Sequence, residues 1–369
     1  MVRLILLILL FLFSLLTILR APLNVLWYVS ILITEFSWVF FILVTLLLFP
    51  FLNGSQYKIA SLTIGIASLL LFAFPVASAY RVSSKVKDVF SVNQTSSVAP
   101  FRLLQMITGA GAKSIAYQTF TYDSAKSLTL DWYPSIQTGK KSCVIVIHGG
   151  SWSGGDSKQL PELNSVLAKN GYGVAVINYR LAPMYKYPAP VEDVKVVLRY
   201  LCAKAADLSI DTSNFILLGR SAGGQIALSA AYTLNDAKIK GVISFYGPAD
   251  MVWGYANPTN PLVLNSRKVM EDYLGGTYSQ IPQQYISSSA TETATVEAPP
   301  SLLIHGGNDP LVSPLHGVRL DKKLDRLSVK HYDIYLPWAT HAFDWTLNGP
   351  GGQISTWSVL QFLKIVTGK

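Results

Sequence analysis

The apolar and polar positions of this chain change character near residue 80. Upstream, apolar residues run almost unbroken from Leu4 to Leu19, Val25 to Phe51 and Ile59 to Ala79. Downstream, short apolar runs alternate with segments of helical periodicity. Val144-Ile145-Val146-Ile147, Gly173 to Ile177, Phe215 to Leu218, Gly241 to Tyr246, Ser301 to Ile304 and Tyr332 to Leu336 read as buried strands, each too short for a helix of ordinary length. Between them, Pro161 to Asn170 and Val191 to Ala205 repeat apolar residues at helical spacing, the second entered through Pro190. Such alternation predicts an α/β domain with a mostly parallel sheet covered on both faces. Ala116 to Tyr133 alternates apolar and polar residues, as antiparallel opening strands do. No internal repeat is present. The stretch from Asp250 to Pro299, rich in Tyr, Asn, Ser, Gln and Pro, interrupts the rhythm.

The three N-terminal runs predict two or three transmembrane helices within residues 1–79, because about 20 apolar residues cross a bilayer. The first run is short enough to be a signal peptide or signal anchor; Ala77-Ser78-Ala79 has the small residues of a cleavage site but lies far from Met1. Glu35, inside the second run, is costly in lipid and is expected against a neighbouring helix or protonated. With three crossings, Arg20, Arg81, Lys85 and Lys87 share one side against Arg3 and Lys58, which places the C-terminal domain in the cytoplasm. Residues 80–115 are expected to connect membrane and domain, with a helical stretch at Pro100 to Thr108. The formal charge of +9 suits an anionic lipid surface; no basic stripe with interleaved aromatics points to nucleic acid. The Asn53-Gly54-Ser55 and Asn93-Gln94-Thr95 sequons are too common to decide the compartment, and Cys143 and Cys202 lack metal-ligand spacing and read as free thiols.

Chemistry enters at Gly219-Arg220-Ser221-Ala222-Gly223, a G-x-S-x-G pentapeptide. A predicted strand precedes it and a small-residue stretch able to start a helix follows, the setting in which such a serine is held strained and exposed above a sheet. His148-Gly149-Gly150-Ser151-Trp152 follows an earlier strand, His305-Gly306-Gly307-Asn308-Asp309-Pro310 a later one, and Thr340-His341-Ala342-Phe343 comes after the last. The chain order is therefore glycine-rich loop, Ser, Asp, His, which excludes the chymotrypsin and subtilisin orders. Gly149-Gly150 lacks the lysine of a phosphate loop, no metal cluster is visible, and no cofactor is expected.

With these motifs, and with Asn178-Tyr179-Arg180-Leu181-Ala182-Pro183, the chain resembles the α/β-hydrolase superfamily, and within it hormone-sensitive-lipase-like and isoprenylcysteine-methylesterase-like carboxylesterases. The resemblance covers residues 116–369, and Ser151 stands where lipases of this group often carry a third glycine. It implies an α/β-hydrolase fold, residues 250–299 as a lid, and a carboxylic ester as substrate. Ser221 would be the nucleophile, His341 the base and Asp309 its orienting acid. Ala222 would supply one oxyanion N–H, Gly150 and Ser151 the others, and His148 and Gly149 would shape that loop. Rival assignments are Ser151, Ser153 and Ser229 for the nucleophile, Asp250, Asp333 and Asp344 for the acid, and His305, His316 and His331 for the base. Arg180, Glu192 and Asp193 read as structural anchors, and Trp152 as an acyl-pocket or core aromatic. A membrane-anchored esterase or lipase is the leading reading; an acyltransferase or amidase on the same triad and a non-catalytic hydrolase-fold binding protein are the alternatives.

Overall fold

The computed structural model describes residues 2–49, 57–90, 98–109 and 114–368. The two sequons and the end of the second apolar run lie outside these residues. An eight-stranded sheet forms the centre: β1 (Gln118–Asp123), β2 (Leu128–Tyr133), β3 (Lys141–Ile147), β4 (Gly173–Ile177), β5 (Ile210–Arg220), β6 (Ile239–Phe245), β7 (Ser301–Gly306) and β8 (His331–Leu336). Their order is β1-β2-β4-β3-β5-β6-β7-β8. β1 and β2 pair antiparallel, β2 joins β4 antiparallel, and the remaining pairings are parallel. The central strands are buried on both faces because helices cover both, so their sequences carry no alternation. The loops after β3, β5, β7 and β8 all leave the carboxyl edge of the sheet, where an open α/β sheet gathers its ligand-binding groups.

The N-terminal part departs from expectation. Helix α1 (Val2–Ser14) ends in a 3₁₀ turn at Leu15–Thr17. The second apolar run is two helices, α2 (Asn24–Glu35) and α3 (Ser37–Leu48), bent by 83° at Phe36. Glu35 sits at the bend, buried, and accepts the Gly351 N–H at 3.0 Å. The carboxylate therefore caps the start of the helix Pro350–Thr367, whose first N–H groups lack intrahelical partners. Among the described residues one helix, α4 (Lys58–Phe90), is long and apolar enough by itself to cross a membrane. The bent pair α2 and α3 passes the same test only when the two are taken together as one span, so the described residues offer one or two candidate spans where the sequence suggested two or three.

α4 runs on through Tyr80, with no break between the apolar run and the expected connector. Its C-terminal turns join the core of the sheet domain: Ala79, Val82, Val86 and Phe90 pack in one cluster with sheet residues and the C-terminal helix. The Phe90 ring stacks on Tyr332 of β8 at 4.7 Å. A smaller cluster, with Leu7, Leu16, Ile33, Val44 and Phe72, binds the N-terminal helices to one another.

Candidate active site

Ser221 lies between the end of β5 and the helix Ala222–Thr233 with φ 52 and ψ −120, backbone angles that L side chains seldom adopt. The turn is tight enough to demand glycine on both sides. A Cβ on Gly219 would strike the carbonyl of Gly223, and one on Gly223 would strike the carbonyl oxygens of Ile147 and His148. The strain aims the hydroxyl away from the strand and toward the loops above it.

Those loops bring Asp309 and His341 to it. His341 Nε2 lies 3.0 Å from Ser221 Oγ, and His341 Nδ1 lies 2.7 Å from Asp309 Oδ2. Asp309 Oδ1 accepts the N–H groups of Leu311 and Val312 at 2.8 and 2.9 Å, which fixes the carboxylate in its own turn. Burial alone would raise the pKa of Asp309, but the His341 and His305 imidazoles outweigh it and hold the carboxyl well below its usual range. An ionised carboxylate on Nδ1 would leave Nε2 free to accept a proton from Ser221.

The glycine-rich loop arrives from β3. Gly150, Ser151 and Trp152 have φ of 118, 52 and 60, a run of left-handed residues that turns the loop sharply over the elbow. Among the described residues no acceptor is bonded to the N–H of Gly150, Ser151 or Ala222. The Gly149 N–H is already given to Gln159 Oε1 at 2.8 Å. His148 is buried, stacks on Tyr179 at 4.4 Å and has Nδ1 2.7 Å from the Gly149 carbonyl, so it braces the loop. Burial lowers its pKa and favours the neutral ring.

The rival residues are mostly occupied. Asp250 accepts from the Trp253 N–H at 2.8 Å and from Arg319 Nε at 2.7 Å. Asp344 is bound by Arg220 and Tyr246. Asp333 lies half-buried on β8, and His331 faces Asp321 at 3.1 Å. Ser229 is buried, 3.3 Å from the Tyr187 hydroxyl. His305 stands 3.4 Å from Asp309 Oδ2 and 2.9 Å from the Val312 carbonyl, a second brace on the acid. Arg180 pairs with Asp193 at 2.8 Å and Glu192 at 3.1 Å.

Ser221 opens on a cavity of about 650 Å³. Ser151, Trp152 and Ala222 line it beside Ser221 and Asp309, while Trp253, Asn257, Val269 and Met270 wall it from the 250–299 segment. His316, weighed in the sequence only as a rival base, also lines it; burial pushes its pKa down to about 3, so it is a neutral wall. Trp152 donates to Gln225 Oε1 at 3.0 Å and stacks on Tyr273 at 4.4 Å. Gln225 also binds the Tyr273 hydroxyl and the Ser288 carbonyl, joining the helix after Ser221 to the 250–299 segment. Neither Gln225 nor the Arg20, Ala21 and Pro22 that line the cavity from the N-terminus was singled out for the site from sequence, since their roles depend on distant partners.

A family model for BD-FAE matches residues 130–324. The probable carboxylic ester hydrolase LipM of Mycobacterium tuberculosis is 29% identical over 238 residues, covering 60% of this chain and 54% of that protein. Esterase LipQ of the same organism is 25% identical over 250 residues, 64% of this chain and 58% of the relative. The chain thus spans little more than half the length of these curated relatives. An esterase structure from Pyrobaculum calidifontis superposes with a TM-score of 0.61 at 17% identity, covering 78% of this chain and 93% of that one. At that identity the likeness establishes the α/β-hydrolase fold.

Proposed function

The chain belongs to the BD-FAE family, and from that premise we propose that it is a serine hydrolase of hydrophobic carboxylic esters, attached to a membrane through α4. The observation that carries the reading is the unbroken relay Ser221 Oγ to His341 Nε2 to Asp309, at 3.0 and 2.7 Å, on a strained elbow facing a cavity.

In the first step Ser221 Oγ attacks the ester carbonyl while His341 Nε2 takes its proton. Asp309 holds the imidazole in the tautomer that leaves Nε2 unprotonated and stabilises the imidazolium that forms. The developing oxyanion is met by the free N–H groups of Ala222, Gly150 and Ser151. One such donor is worth about 3–4 kcal/mol in the transition state. The imidazolium protonates the leaving alcohol, and water enters the same position to hydrolyse the acyl-enzyme. The helices Met251–Ala256 and Ser266–Leu274 act as lid and acyl-pocket wall. The mostly neutral and apolar lining favours an acyl group of several carbons.

A fluorophosphonate probe and a series of p-nitrophenyl esters, applied to the full chain and to Ser221→Ala, test this. Labelling and hydrolysis that both vanish in the variant support the assignment. Labelling without ester turnover moves the reading to acyl transfer or amide hydrolysis, and a folded protein that does not label is a binding protein.

A further inference from the structure

Three loops of the active site are each tied to the N-terminal helices. The indole Nε1 of Trp27, on α2, donates to the carbonyl of His341 at 3.0 Å, and its ring meets the imidazole edge-on at 6.0 Å. Three residues along the same helix, buried Ser30 Oγ donates to Thr340 Oγ1 at 3.2 Å. Asn308 Nδ2, beside Asp309, donates to the Thr17 carbonyl at 3.0 Å. Asn24 at the start of α2 gives its backbone N–H to Leu262 and its amide to the Val263 carbonyl, both at 3.1 Å. The loop between α1 and α2 then supplies Arg20, Ala21 and Pro22 to the cavity wall.

We propose that Trp27 is a positioning residue for His341, so that helices which look like a simple anchor complete the active site. The proposal rests on His341 being the base of the reading above. His341 stands on a loop without regular structure between β8 and the turn at Phe343, next to Ala342 with φ 62. Such a loop does not by itself hold an imidazole at hydrogen-bond distance from a serine. On one side the Tyr246 ring packs against the imidazole at 4.4 Å. On the other, Trp27 fixes the backbone of the same residue and covers the ring edge. An imidazole held by both contacts samples few alternative rotamers during turnover, which preserves the geometry that proton transfer requires.

The test uses the full chain in detergent micelles. Trp27→Phe keeps an aromatic ring and removes the donor. Tyr28→Phe, at the exposed neighbour, is the control. Active sites are titrated to completion with a fluorophosphonate, and kcat per titrated site, KM for p-nitrophenyl butyrate and the labelling rate are measured. Trp27→Phe is expected to lower kcat and the labelling rate about tenfold with KM within about twofold, while Tyr28→Phe matches the parent. An unchanged kcat per titrated site in Trp27→Phe overturns the proposal. So does an equal loss in both variants, which would mean general loosening, or a rise in KM alone, which would make Trp27 only a wall. A parent chain that turns over normally with an unaffected Trp27→Phe sinks this inference alone. A parent that neither labels nor hydrolyses sinks the esterase reading and the inference with it.

Discussion

Arg220, one residue before Ser221, and Asp344 form an ion pair sealed from solvent, Nε to Oδ2 at 2.6 Å. The other carboxylate oxygen accepts the Tyr246 hydroxyl at 2.5 Å, and the Tyr246 ring packs on His341. One buried network therefore links the turn at Ser221 to the loop that carries His341. Arg220 Nη2 finds no acceptor among the described residues, so the pair is incompletely satisfied. Desolvating two charges costs several kcal/mol per ion, and removing one partner leaves the other exposed to that cost.

Arg220→Met is accordingly expected to lose about 3–5 kcal/mol of stability, read as the midpoint of urea unfolding. The double variant Arg220→Met/Asp344→Leu is expected to regain a large part of the loss, since no charge then stays buried alone. A double variant less stable than the single one would contradict this account.

Asp309→Asn is expected to lower kcat by about 10⁴-fold, because the amide cannot hold the required imidazole tautomer. Asp250→Asn, whose parent carboxylate is engaged by Trp253 and Arg319, should leave kcat within about twofold. Steady-state kinetics on the two variants decides between the two acids.

Gly219→Ala and Gly223→Ala are each expected to cost about 3 kcal/mol or more, since the added Cβ meets backbone carbonyls that cannot yield. Folded yield and melting temperature report the effect. The elbow is thus a structural constraint before it is a chemical one.

Asp333 gives a pH-dependent prediction. Burial, then the Asp321 charge, raises its pKa from 3.8 to about 6. The folded protein therefore favours the protonated acid, and stability is lost as pH climbs from about 4 through 6. Asp333→Asn should raise the melting temperature by a few degrees at pH 7.5 and leave it nearly unchanged at pH 4. Calorimetry at the two pH values checks the sign.

Much of the central fold was legible because each strand is a short apolar run and each chemical motif follows one. Ser221, Asp309 and His341 stood out for that reason, and the structure brings them within hydrogen-bond distance. The N-terminus was read less well. Hydropathy reports length and apolarity, which α2 and α3 together satisfy, but the bend at Phe36 has neither proline nor glycine to announce it. Tertiary contact decides it, through Glu35 capping a helix 316 residues away. Arg220 was equally silent, since nothing in the pentapeptide says that its variable position meets Asp344 124 residues later. His316 lay in no recognisable loop, yet it lines the cavity because the helix Leu315–Arg326 starts beside it.

The Trp27 to His341 bond closes a loop of 314 residues. During translation the indole is made early and waits for its acceptor until nearly all the rest of the described chain has left the ribosome. On the proposed reading, a nascent chain would gain its full rate only after synthesis has brought Trp27 and His341 together.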